Sequence, residues 1–314
     1  MRVLFWGTPD FAIPTLRALL GEGHDVVGVV TQPDRPAGRG RGVRPSPVKV
    51  SALDEMLPVL QPERARGDEF LAQVRALEPE ISVVVAYGQI LTREVLDVPE
   101  RGSINVHASL LPELRGAAPI NWAIKLGHER TGVTIMRMVE RMDAGPILHR
   151  VVEPIGEQET AGELWSRLSE IGAEALVEAL ALLDMSGLVE TEQDDALATY
   201  APRLTRDNVR IDWHDNAVNV GRHIRAMDPI PGAWTAHRGE DVKLYRPLPE
   251  PEHTHDAVPG TVLEVFGTDD ASGMRVACGT GAVLVREVKP AGRRRMMSAE
   301  WVRGRAVAAG DVLG

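Results

Sequence analysis

Val3-Leu4-Phe5-Trp6-Gly7-Thr8-Pro9-Asp10-Phe11 begins with a short apolar run, turns, and enters a helical pattern that continues through Leu16, Leu19 and Leu20. The order is strand, turn, helix, because a continuous apolar run gives way to a 3.6-residue repeat after the Gly-Thr-Pro-Asp break. The pattern recurs. Val26 to Val30 ends at Thr31-Gln32-Pro33-Asp34, Ile81 to Ala86 ends at Tyr87-Gly88, and Ser103 to Val106 leads into His107. Nearly unbroken Val and Ile runs separated by helix-length segments predict an α/β fold with a mostly parallel sheet covered on both faces. Ligands of such sheets bind beyond the carboxyl ends of the strands. The first turn lacks the G-x-G-x-x-G that lets a pyrophosphate approach the backbone, so no conventional dinucleotide site is expected there.

Further along, residues 34 to 47 are rich in Gly and Pro with few apolar anchors and are expected to form a long irregular loop. Leu164, Leu168, Ile171, Ala175 and Leu182 recur at helical spacing among acids, predicting a helix with one solvated face. The polar run Thr191 to Ala196 suits a linker. Beyond residue 207 a helix is expected over Ala217 to Ala226, stopped by Pro229, Pro231 and Gly232. Short strand patterns then follow at Trp234 to His237, Val242 to Tyr245, Gly260 to Val265, Gly273 to Cys278 and Ala282 to Glu287, which suggests a small β-barrel.

The chain of 314 residues carries 45 carboxylates against 35 Lys plus Arg and is 44% apolar, the composition of a water-soluble globular protein. Cys278 is its only cysteine, which excludes an internal disulfide and Cys-rich metal centres and favours a reducing cytoplasmic setting. No apolar run approaches the length of a membrane span. The net charge of −10 hides an asymmetry. Residues 153 to 195 hold twelve acids and one base, Arg167. Residues 34 to 49 instead carry Arg35, Arg39, Arg41, Arg44 and Lys49 against Asp34, and residues 286 to 305 carry seven bases, Arg293, Arg294 and Arg295 among them, against two acids. Two such segments can hold a polyanion if the fold presents them together.

The densest polar cluster at a strand end is Asn105-Val106-His107. Alternation puts Asn105 and His107 on one side of the strand, where an amide donor and an imidazole can meet one substrate atom. Asp143, in the turn Met142-Asp143-Ala144-Gly145-Pro146, can orient the histidine or arrange a water. One Asn, one His and one Asp suit acyl transfer to an amine or alcohol: Asn105 donates to an oxygen gaining negative charge, and His107 relays protons. Nothing marks Ser109 as an activated nucleophile, so direct attack by the substrate is preferred. The histidines form no H-E-x-x-H motif, and no metal is expected.

These residues carry a recognisable pattern, and the chain resembles the methionyl-tRNA formyltransferase family over essentially its whole length. The stretches that carry the resemblance include Phe5-Trp6-Gly7-Thr8-Pro9-Asp10-Phe11, Gln32-Pro33-Asp34-Arg35-Pro36-Ala37-Gly38-Arg39-Gly40, Asn105-Val106-His107-Ala108-Ser109-Leu110-Leu111-Pro112, Arg115-Gly116-Ala117-Ala118-Pro119-Ile120 and Met142-Asp143-Ala144-Gly145-Pro146. Ile211-Asp212-Trp213 and Pro231-Gly232-Ala233-Trp234 extend it into the second half. The Asn-x-His with a distant Asp is shared by folate-dependent formyltransferases generally; the Arg-rich loop and the Arg-Gly-Ala-Ala-Pro-Ile helix start are more specific.

The resemblance implies a Rossmann-like formyltransferase domain over residues 1–189, a linker over 190–207 and an OB-like barrel over 208–314. It implies 10-formyltetrahydrofolate as donor and methionyl initiator tRNA as acceptor, with Asn105, His107 and Asp143 as the catalytic set. The donor is expected against Val85, Ala86, Tyr87, Gly88, Ser109, Leu110, Leu111, Pro112 and Asp143. The tRNA is expected on Arg35, Arg39, Arg41, Arg44, Lys49, Arg203, Arg293, Arg294 and Arg295. Arg203 stands where the family often has lysine, and its hydrogen-bonding geometry differs. A cytoplasmic enzyme follows, with no membrane association and no need for more than a monomer. Two alternatives stand beside it: a folate-dependent formyltransferase acting on a small amine, and a catalytically inactive RNA-binding relative.

Overall fold

The computed structural model describes residues 1–37, 42–185, 187–266, 273–304 and 306–314. Up to residue 201 the strands are β1 (Arg2–Gly7), β2 (Asp25–Val30), β3 (Arg35–Ala37), β4 (Gly42–Arg44), β5 (Val59–Leu60), β6 (Ile81–Val85), β7 (Ser103–His107), β8 (Arg115–Gly116), β9 (Arg130–Arg137), β10 (Ile147–Pro154) and β11 (Tyr200–Ala201). The helices between them are α1 (Ile13–Gly21), α2 (Pro47–Asp54), α3 (Asp68–Ala76), α4 (Arg93–Leu96), α5 (Pro119–Leu126) and α6 (Ala161–Asp184).

Seven strands form one sheet in the order β10-β9-β7-β6-β1-β2-β5. β1 pairs in parallel with β2 and β6, as do β6 with β7 and β2 with β5, whereas β9 runs antiparallel to β7. The mostly parallel sheet expected from the apolar runs is present. Val3, Leu4, Phe5 and Trp6 are all fully buried, so the first strand is covered on both faces. Trp6 still satisfies its indole N–H, which donates to Ser82 Oγ at 3.1 Å.

Two expectations change. Within 34–47, residues 38–41 lie outside the described residues; on either side of them β3 and β4 form a short antiparallel ladder, and Ser46 caps α2, its Oγ accepting from Lys49 N, so these described parts are paired and capped rather than irregular. In α6, Leu168, Ala175, Leu176, Ala179 and Leu180 are buried, while Leu182, which the 3.6-residue period keeps on the same face as Leu164 and Ala175, is exposed in the last turn of the helix.

The chain forms two compact units, neither of them one continuous stretch: Met1–Pro119, Thr131–Pro154 and Trp165–Ala201 make the first, and Ile120–Arg130, Ile155–Leu164 and Pro202–Gly314 make the second. Hydrogen bonds within the second unit explain its early segments: Asn121 Nδ2 donates to Ala226 O, Trp122 Nε1 to Pro202 O, and Arg225 Nη1 to Glu159 O. This unit contains α7 (Ala217–Met227), β12 (Ala233–His237), β13 (Glu240–Glu250), β14 (Val262–Phe266), β15 (Gly273–Ala277), β16 (Ala282–Pro290), β17 (Met296–Met297) and α8 (Ser298–Arg303). Its antiparallel sheet has the order β12-β13-β16-β15-β14, with β17 added against β16.

Candidate active site

The parallel neighbours β6 and β7 pair Val84 with Asn105, so their carboxyl ends lie side by side and bring 85–88 next to 105–112. Thr8 Oγ1 and Gln32 Nε2 both donate to Tyr87 O, which ties the ends of β1 and β2 to the same edge. Asn105 is half-buried, and among the described residues its amide makes no side-chain hydrogen bond.

His107 is buried and lies two residues along the strand. Its Nε2 is 3.1 Å from Leu114 O. A carbonyl only accepts, so Nε2 carries the hydrogen and the neutral ring has its lone pair on Nδ1. Nδ1 stands 3.8 Å from Asp143 Oδ2. That oxygen accepts from Gly116 N at 2.8 Å, which fixes the carboxylate relative to β8. The three residues expected to form the catalytic set thus come from one strand and one turn, with His107 and Asp143 in ion-pair reach.

The turn itself is unusual. Asp143 has φ +51° and Leu114, whose carbonyl holds His107, has φ +59°, both left-handed conformations that side chains disfavour. Gly145 is obligatory beside them, because a Cβ there would lie 2.0 Å from Arg137 O. External bonds hold the turn. Gln193 Nε2 donates to both Asp143 O and Gly145 O, while its Oε1 accepts from Arg115 Nε and Nη2. Asp195 pairs with Arg115 and Arg141, and these hydrogen bonds hold its carboxyl below the usual range. Sequence reasoning missed Gln193 and Asp195 as parts of the site, since a polar run reads as a linker until its contacts are known, and it singled out Arg115 only as the start of a motif.

The residues expected to meet the donor divide by exposure. Val85, Tyr87 and Leu111 have buried side chains, so those side chains belong to the core rather than to a ligand surface. Tyr87 packs edge-on against Trp6, and burial pushes its phenol up to about 12. Ser109 is buried and donates to Glu113 O at 2.6 Å, which occupies the hydroxyl. Ala86 and Gly88 are exposed with φ +48° and +90°, and Leu110 and Pro112 are half-buried. The accessible residues at this edge are thus Ala86 and Gly88, with Asn105, Leu110, Pro112 and Asp143 half-buried.

The cations expected to meet tRNA also divide. Arg35 and Arg44 are exposed and face each other across the β3–β4 ladder. Arg39 and Arg41 lie outside the described residues. Lys49 donates to Asp34 Oδ2 at 2.7 Å, and Asp34 also accepts from Gln61, so this lysine anchors the loop rather than presenting a free charge. In the second unit Arg203, Arg293 and Arg294 are exposed, the last 3.3 Å from Glu300. Arg295 is instead a structural cation. It bonds both oxygens of buried Asp228, contacts Glu287, and lies 4.0 Å over the Tyr245 ring. Burial raises the Cys278 thiol to about 12, leaving it no nucleophilic role.

The family described as Formyl transferase matches residues 1–180, and that described as Formyl transferase, C-terminal domain, matches residues 203–306. A methionyl-tRNA formyltransferase of Bacillus subtilis is 45% identical over 314 residues, covering 100% of this chain and 98% of its own. The chain belongs to the methionyl-tRNA formyltransferase family. A second methionyl-tRNA formyltransferase, from Magnetococcus marinus, is 46% identical over 313 residues with 100% and 98% coverage.

Solved structures share the formyltransferase fold at lower identity. An N-formyltransferase from Helicobacter canadensis in complex with folinic acid and dTDP-3-aminofucose has a TM-score of 0.67 and 15% identity, covering 94% of this chain and 100% of that one. HypX from Aquifex aeolicus in complex with tetrahydrofolic acid has a TM-score of 0.64 and 20% identity, and the match covers 96% of this chain but 47% of HypX. Among the described residues no helix is long and apolar enough to cross a membrane.

Proposed function

We propose that the chain transfers the formyl group of 10-formyltetrahydrofolate to the free amino group of methionyl initiator tRNA. The observation that carries the chemistry is the pairing of His107 Nδ1 with Asp143 Oδ2 at 3.8 Å while Nε2 is committed to a backbone carbonyl. Only Nδ1 is left to exchange a proton. The full-length likeness to methionyl-tRNA formyltransferases supports the choice of acceptor.

In this reading the uncharged methionyl nitrogen attacks the formyl carbon. The new C–N bond forms as the carbonyl oxygen gains negative charge, and the uncommitted Asn105 amide donates to it. Nδ1 of His107 takes a proton from the attacking nitrogen, with Asp143 beside the resulting imidazolium. Return of that proton to N10 accompanies breaking of the N10–C bond and release of tetrahydrofolate. The donor's flat heterocycle suits the exposed backbone at Ala86 and Gly88 together with the Asp143 carboxylate, since both edges of such a ring carry donors and acceptors.

Charge adds to the support for a tRNA acceptor. Like charges opposed in a ladder, as Arg35 and Arg44 are, repel unless an anion lies between them. Arg203, Arg293 and Arg294 add exposed cations in the second unit. Phosphate contacts of this kind position a nucleic acid more than they read its sequence. The reaction belongs in the cytoplasm and needs only one copy of the chain.

Formylation of charged initiator tRNA, with a nucleotide-linked amino sugar as competing acceptor, tests the proposal. Wild-type protein is expected to formylate the tRNA alone. Asn105→Ala is expected to lose about 100-fold in kcat, the worth of one oxyanion donor, and His107→Ala at least as much. Preference for the sugar, or full activity of both variants, would reject the reading.

A further inference from the structure

Residues 191–201 are laced onto the catalytic turn. Ile147 and Thr191 exchange both backbone hydrogen bonds, Leu114 N donates to Thr199 Oγ1, Arg115 N donates to Thr199 O, and Ala117 N donates to Ala201 O. At the centre of this lacing stands Gln193, half-buried, with its Nε2 3.0 Å from Asp143 O and 2.7 Å from Gly145 O. Its Oε1 is 3.1 Å from Arg115 Nε and 2.7 Å from Nη2. Arg115 is only 2% exposed and is itself held by Asp195 at 2.9 Å.

We propose that Gln193 is a positioning residue for Asp143, setting the distance between its carboxylate and His107. The requirement arises in the turn. A non-glycine residue at φ +51° persists only where its surroundings over-determine it. The carboxylate of Asp143 is referenced to Gly116 N, and Gln193 references the carbonyl of the same residue to Arg115, the preceding position of β8. Backbone and side chain of Asp143 are thereby fixed to one two-residue strand. A primary amide is the group this task needs, because it supplies two N–H donors for the carbonyls of Asp143 and Gly145 and an acceptor for the guanidinium. Glutamate keeps the acceptor and loses both donors. Methionine keeps the length and loses all four bonds.

The inference rests on the proposed role of Asp143, and the test separates the two. Gln193→Glu and Gln193→Met are compared with wild type for formylation of charged initiator tRNA, with kcat and KM determined separately. A misplacement near 1 Å costs on the order of 100-fold in a positioned reaction, so kcat is expected to fall roughly 10- to 100-fold. KM for both substrates should stay within about 2-fold, because ground-state binding is not what Gln193 sets. The same substitutions in an Asp143→Ala background should cost nothing further, as no carboxylate is left to place.

Equal losses in both backgrounds would overturn the proposal, as would a loss matching a fall in folded fraction by circular dichroism, wild-type kcat in Gln193→Glu, or failure of both variants to fold. Full activity of Asp143→Ala would instead defeat the reading of the site itself. Impaired Asp143→Ala beside fully active Gln193 variants would defeat only the positioning role.

Discussion

At Gly116 the backbone has φ +125°, and a Cβ would stand 2.6 Å from Ala201 O, so this position needs glycine on two counts. Its N–H also holds Asp143 Oδ2. Gly116→Ala is therefore expected to cost roughly 1–3 kcal/mol of stability, read from urea unfolding, and to lower kcat beyond that loss of folded protein. A variant with wild-type stability and rate would contradict the strained geometry. Asn105 and His107 were legible in the sequence because they share one face of one strand. The Leu114 carbonyl and the Gly116 N–H were not, since a backbone group has no residue type to signal it.

The cationic segments contain two kinds of arginine that composition cannot separate. Arg295 compensates buried Asp228, and removing it leaves that carboxylate without its bidentate partner. Arg295→Ala is expected to destabilise the protein by about 3 kcal/mol. Arg293→Ala with Arg294→Ala should change stability by no more than about 0.5 kcal/mol per site. That double variant should instead reduce the slope of log affinity for tRNA against log salt by about 2, one unit for each phosphate no longer neutralised. Calorimetric unfolding and a salt titration of tRNA binding check the two outcomes; an unchanged slope would remove these arginines from the nucleic-acid surface. A triple substitution that included Arg295 would mix the effects. The run 191–196 makes the same point, because its polarity is real, yet Gln193 and Asp195 within it spend theirs on Asp143, Gly145, Arg115 and Arg141.

Across the molecule, acid sensitivity should begin at histidines whose values burial lowers, with His223 of the second unit foremost. Burial, with help from the charge of Lys125, pushes the His223 imidazole down to about 4, against opposing contributions from Val209 and Asp215. A folded value below the unfolded value of 6.5 means that the unfolded chain takes up the proton first as pH falls. The contribution of His223 is complete above pH 6.5 and is lost progressively towards pH 4, in total about 3 kcal/mol. His24 is shifted in the same direction, also mainly by burial. Asp34, Asp195, Asp241 and Asp311 lie below their ordinary values and lose their contributions only at lower pH. Urea unfolding at pH 7 and pH 4.5 should show the decline in wild type and a shallower one in His223→Leu; equal declines would acquit His223. The sequence by itself determined the covered parallel sheet, the antiparallel second half, and the Asn and His at a strand end, because apolar periodicity and nearest-neighbour spacing are local properties. Only the tertiary structure decided which cations are free, which side chains near the donor edge are core, and how a distant glutamine reaches the Asp143 turn, because each depends on partners tens of residues away that share no local pattern.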